Sequence, residues 1–139
     1  MSIEAFLWNY QDGEPIGFEF ATVRDLLATE DVDWNEEFGC LRVRFQNPSD
    51  SVDIYLGKEG PHTDHIDGIT ISRPITHPEF LDQIFRIMKL GDAMWFYSDE
   101  TTPVFVRGAD PNQYPPDLLK QLGEPRFVNS PAELLHQEP

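Results

Sequence analysis

The chain has 139 residues, enough for one domain whose core hides roughly two thirds of the surface of the unfolded polypeptide. Twenty-five acidic against ten basic side chains give a formal net charge of −15, which opposes binding to nucleic-acid phosphates or anionic lipid and favours cationic partners. With 40% hydrophobic and 12% aromatic residues the acidity does not imply disorder, and no apolar run approaches the ~20 residues of a membrane helix.

In chain order, residues 3–8 (IEAFLW) are apolar enough for a buried strand, and QDGEP after them is turn chemistry. A short helix is predicted over 22–28, capped by Thr22 with Asp25 at its third position, and the acidic stretch that follows is expected to be its exit loop. Leu41, Val43 and Phe45 alternate with Arg42, Arg44 and Gln46, a half-buried strand with a basic outer face. The turn Asn47-Pro48-Ser49-Asp50 joins it to a second alternating strand carrying Val52, Ile54 and Leu56, so the two form a hairpin. A third strand at Ile69–Ser72 stops at Arg73-Pro74, because proline lacks the ladder donor.

The principal helix is predicted over 77–90, with Thr76 and Glu79 as a capping box and Gly91 as a left-handed stop. Phe80, Leu81, Ile84, Phe85 and Met88 form its buried stripe, and Asp82, Gln83, Arg86 and Lys89 its far side. MWFYS (94–98) and VFVR (104–107) read as an antiparallel hairpin, and the strand ending at Arg107 as a sheet edge. A short helix at 116–122, a strand at 126–128 and a last helical turn begun by Ser130, Pro131 and Glu133 complete the order. Neighbouring strands with few helices between them predict a single α+β domain over residues 1–139, frayed at its last few residues, with a mainly antiparallel sheet and the 77–90 helix on one face.

The charge is unevenly placed. Residues 1–38 hold ten acids and one base, Arg24, for a net −9; residues 39–139 carry net −6. The densest stretch, TEDVDWNEEFG (29–39), gathers Glu30, Asp31, Asp33, Glu36 and Glu37 around Trp34 and Phe38. A solvated acidic surface explains the carboxylates and a core position explains Trp34; aromatic area ringed by charge is also what protein interfaces use for affinity and steering. On the second reading Asp31, Asp33, Glu36 and Glu37 face the cations of a basic partner with Trp34 as the anchor, and Asp12 and Glu14 extend the patch.

Other chemistry has less support. His62, Asp64, His65 and Asp67 offer nitrogen and oxygen ligands for Zn²⁺ or a similar ion, but their spacing matches no established zinc motif, and a polar loop accounts for them. Cys40 is the single cysteine, so it forms no internal disulfide, and it is read as an inert core residue rather than a nucleophile. GKEG (57–60) lacks the spacing of a phosphate loop. No cofactor is expected. The amino-terminal MSIEAFLWNYQDGEP lacks the basic stretch and cleavage site of a secretory signal, so a cytoplasmic location is expected.

The segments ITISRPITHPEFLDQIFRIMKLGDAMWFY and PPDLLKQLGEPRFVNSPAEL, within residues 67–135, resemble small acidic immunity-type proteins of bacterial polymorphic-toxin and type VI secretion systems. The resemblance implies a protein without catalysis that binds a cognate toxin and blocks its active site. It transfers no binding residues. The leading expectation is therefore a binding protein that neutralises a basic toxin such as a nuclease, whose phosphate-binding cleft is cationic. A metal-dependent enzyme on the His62/Asp64/His65/Asp67 cluster and an adaptor whose charge serves solubility are the alternatives.

Overall fold

A computed structural model of the chain describes residues 3–28, 31–57, 64–99 and 102–134. Its elements run β1 (Glu4–Trp8), a small hairpin of β2 (Tyr10–Gln11) and β3 (Glu14–Pro15), β4 (Phe18–Glu19), α1 (Phe20–Leu27), β5 (Val32–Asn35), β6 (Cys40–Phe45) and β7 (Asp50–Tyr55). They continue with β8 (His65–Ile66), β9 (Ile69–Ser72), α2 (Pro78–Met88), β10 (Met94–Tyr97), β11 (Val104–Val106), α3 (Pro116–Gln121) and β12 (Arg126–Val128), with 3-10 turns at Pro111–Gln113 and Pro131–Leu134.

Eight strands form one sheet in the order β12-β11-β10-β1-β9-β7-β6-β5, antiparallel except for the β11–β12 pair. The expected α+β architecture is thus present. The first strand lies inside the sheet, between β9 and β10, so the hairpins before and after α2 extend it in opposite directions. β12 covers β11, and the strand carrying Val104–Val106 is not the edge that its sequence suggests. The edges are β12 and β5.

The pleat sends alternate residues to opposite faces. Ala5, Leu7, Ile69, Ile71, Ile54, Val43 and Trp95 point to the face that α2 covers with Phe80, Leu81, Ile84 and Met88, and all belong to one core. α1 adds Phe20, Val23 and Leu27 to the same layer. On the other face Met94, Phe105 and Tyr114 form a second, smaller core under the 111–113 turn and α3. Tyr114 ties it down, its hydroxyl donating to the Asp92 carbonyl at 2.6 Å and lying 3.0 Å from that of Trp8. Burial pushes this phenol well above its ordinary range, so it stays a donor.

The helix ends differ from expectation in instructive ways. α1 starts at Phe20 with Glu19 as its cap position, and Thr22 lies inside its first turn, where its hydroxyl donates to the Glu19 carboxylate at 2.6 Å. α2 is capped by His77 rather than Thr76: His77 Nδ1 accepts from the Glu79 amide at 3.1 Å, and Nε2 meets the Gln46 carbonyl at 2.8 Å. A histidine buried against Phe45 serves here because its second nitrogen also reaches the β6–β7 turn. Gln83 is buried, not outward, and its amide reaches the Leu27 carbonyl of α1 at 3.5 Å.

Gly91 is no left-handed stop, since its φ is not positive; a Cβ there would stand 2.8 Å from Asn9 Oδ1, so the residue is small to admit Asn9. At the carboxyl end the reading holds. Glu133 accepts from the Asn129 and Ser130 amides at 2.6 and 2.8 Å and starts the last turn, which is 3-10.

Replacing Tyr114 by phenylalanine leaves the ring and removes the hydroxyl that holds β1 and the loop before β10 to the 3-10 turn. The expected cost is about 1–2 kcal/mol in urea unfolding; an unchanged midpoint would show that the phenol bonds are dispensable.

Candidate functional site at the β5 edge

Residues 31–35 read Asp-Val-Asp-Trp-Asn, and the alternation that makes them a strand is as regular as that of β6. The acidic segment is therefore not the exit loop of α1. It is the edge strand β5, paired antiparallel with β6 in the register Val32↔Val43, Asp33↔Arg42, Trp34↔Leu41 and Asn35↔Cys40. That register puts Asp33 and Asn35 on the outer face and sends Trp34 to the side of the main core.

The outer face owes its order to two arginines. Arg42 grips Asp53 of β7 with both arms, Nε to Oδ1 at 2.8 Å and Nη2 to Oδ2 at 3.1 Å. Arg44 bridges two carboxylates of the edge, Nη1 donating to Asp31 at 2.7 Å and Nη2 to Asp33. The guanidinium of Arg42 holds the Asp53 carboxyl below the ordinary carboxylate range, against an opposing effect of partial burial. Across the strands one row reads Glu4, Ser72, Asp53, Arg42, Asp33. Its last three members alternate in charge and end at the edge.

Beyond β5 the chain turns through residues 36–39 with Glu36, Glu37 and Phe38 all exposed. Phe38 is 59% exposed, the largest value among the described large hydrophobic residues, while Trp34 is half-buried and stands edge-on to Phe20 at 6.1 Å. The aromatic ringed by acids is thus Phe38, and Trp34 closes a cleft of about 570 Å³ with Phe20, Leu41 and Leu56, rimmed by Glu19, Arg24 and Asp64. A shallow hollow on the other face runs from Phe38 and Glu36 across Cys40, Arg42 and Arg44 to Tyr55.

Asp31, Asp33, Glu36 and Glu37 are therefore neighbours, but Asp12 and Glu14 are not among them. They belong to the β2–β3 hairpin, which the Asp12 and Gly13 amides anchor to Gln113, and β9, β7 and β6 separate β1 from β5. His62 lies outside the described residues. Asp64 and His65 clamp the start of α1, the Asp64 carbonyl accepting from the Phe20 amide and His65 pairing with Glu19, while Asp67 is exposed. Among the described residues no three His, Cys, Asp or Glu side chains converge as a metal site. Cys40 is buried, and burial followed by the charge of Asp53 pushes its thiol up, away from the reactive thiolate.

Arg42 and Arg44, expected on the basic outer face of their strand, meet the acidic run only through the pairing of β5, β6 and β7. Within residues 31–57 six carboxylates face two guanidiniums, net −4. Comparison with known proteins finds no matching family model, no similar curated protein and no similar solved structure. No helix among the described residues is long and apolar enough to cross a membrane.

The Arg42–Asp53 pair makes a pH-dependent contribution of known sign. A carboxyl whose folded-state pKa is lowered stabilises above its unfolded value, near pH ~4, and loses that contribution as pH falls through the folded value. Asp53→Asn should cost on the order of 0.5–1 kcal/mol at neutral pH, as expected of a solvent-screened bidentate pair, and progressively less below about pH 4. Urea unfolding of both proteins at the two pH values reads this; a difference that does not shrink in acid contradicts it.

Proposed function

We propose that this chain is a binding protein that neutralises a basic protein, a bacterial toxin with a cationic active-site cleft such as a nuclease, by occupying that cleft with the β5 edge and the 36–39 turn. The observation that carries the reading is the arrangement at that corner. Glu36 and Glu37 are exposed beside the exposed ring of Phe38, on a three-strand segment of net charge −4. Carboxylates displayed in this way accelerate encounter with a cationic surface, and a desolvated aromatic slows escape. The resemblance of residues 67–135 to immunity-type proteins supports the same class of partner.

Asp31 and Asp33 contribute to the field but reach a partner's cations in competition with Arg44. Glu36 and Glu37 are then the first contacts, with Phe38 as the anchor that packs against the partner. Trp34 supports the edge from the core side. Asp12 and Glu14 act only at a distance, through the net charge of the protein.

The test begins with the product of the gene adjoining this one, expressed in a bacterial host: co-expression of this chain should restore growth and the two proteins should copurify. With that partner, Glu36→Lys together with Glu37→Lys should slow association by about tenfold or more at low salt and flatten its salt dependence. Phe38→Ala should leave association nearly unchanged and speed dissociation by about tenfold or more, the effect of a modest hot spot. An unchanged association rate in the charge-reversed protein would contradict the steering role, and unchanged dissociation of Phe38→Ala would remove the anchor.

A further inference from the structure

We infer that β5 is a docking edge: it accepts an extended segment of the basic partner as a ninth strand of the sheet, with cationic side chains on the outer face and apolar ones on the Trp34 side. This inference rests on the reading of the protein as a binder of a basic protein and names how that partner is held.

The Arg44 amide donates to the Asp31 carbonyl at 3.0 Å, so residues 31, 33 and 35 are the hydrogen-bonded positions toward β6. The amides and carbonyls of Val32 and Trp34 consequently point away from the sheet. β5 is the last strand in the sheet order, and among the described residues nothing bonds to those outward groups. A row of unused donors and acceptors on an edge strand is a template for another strand, and proteins usually protect it.

Charge selects the occupant. The outer row runs Asp53, Arg42, Asp33 and stops, so the next strand in register continues the alternation with a Lys or Arg beside Asp33. The neighbouring position lies beside Asp31, whose carboxylate Arg44 holds together with that of Asp33. On the opposite face the added strand lies beside Trp34, whose ring lines the cleft with Phe20, Leu41 and Leu56, and apolar side chains suit that side. A second copy of this chain does not suit it: its own β5 brings Asp31, Asp33, Glu36 and Glu37 against the same acids. The edge is therefore guarded against self-pairing by the charges that attract a basic strand.

Two peptides of one composition test this without the natural partner. Each has four lysines and three valines, in alternation in one (Lys-Val-Lys-Val-Lys-Val-Lys) and in two blocks in the other. At low salt the alternating peptide should bind the full chain about tenfold more tightly than the block peptide in calorimetry. It should also protect the Val32 and Trp34 amides from hydrogen exchange. Val32→Pro deletes an outward-facing donor without touching the β6 ladder, and it should erase the difference between the peptides. The exchange measurement on the unaltered protein decides the question even if that variant folds poorly. Equal binding of the two peptides, with no new protection at Val32 and Trp34, overturns strand addition while leaving charge-driven binding in place. Failure of both peptides to bind overturns the two readings together, and a dimer formed through β5 overturns the guarded edge.

Discussion

Arg44 is the residue on which the acidic corner depends. Asp31 and Asp33 lie two residues apart on one face of an edge strand, where like charges repel and β-propensity is poor. A single guanidinium from the adjacent strand spans both carboxylates and turns the repulsion into a cross-strand tie. With Arg42 holding Asp53 one register step away, β5, β6 and β7 are fastened across their outer face by charge and across their inner face by Val32, Leu41, Val43 and Ile54. The same interactions that keep the segment ordered leave its negative charge in excess, because two arginines answer only part of the carboxylates there.

The placement of β1 sets this corner apart from the rest of the sheet. With β1 between β9 and β10, the strands before α2 and those after it grow outward on opposite sides. One half of the outer face is aromatic and closed by Tyr114 and α3; the other is polar and open, ending at β5. α1 and α2 occupy the opposite face and stiffen the sheet from behind, with Gln83 and His77 as the buried polar links to α1 and to the β6–β7 turn. Arg42 and Arg44 hold the carboxylates of Asp53, Asp31 and Asp33 on that face, and Glu36 and Glu37 follow in the exposed turn beyond it.

Much of this was legible in the chain, and the exceptions share a cause. The alternation of Leu41 to Phe45 and Val52 to Leu56, the stripe on α2 and the proline at residue 74 are local signals, and their elements stand where they point. The interleaving of Val32 and Trp34 with aspartates is equally regular, but the sequence alone favours a solvated loop there, because nothing nearby in sequence neutralises its charge. Arg42 and Arg44, nine and eleven residues after Asp33, do so only once the hairpin forms. His77 displaces Thr76 as a cap for the same reason: its second partner, Gln46, is distant in sequence. Asp12 and Glu14 share the acid-rich front of the chain with residues 31–37, but they lie in the β2–β3 hairpin, a separate two-stranded sheet after β1, away from β5. Phe38 and Trp34 are indistinguishable in sequence as aromatic neighbours of acids; register turns Trp34 of β5 toward the core, and the end of the strand at Asn35 leaves Phe38 in the exposed turn.

The central claim is that recognition takes place at the β5 edge and the turn beyond it. The most direct measurement is amide chemical-shift mapping of the labelled chain as its basic partner is added. The account predicts the largest changes at Val32, Trp34 and residues 36–38, extending to Arg42 and Arg44. Changes centred on the Asp12–Gly13 hairpin or on α3, with residues 31–38 left unmoved, would contradict it.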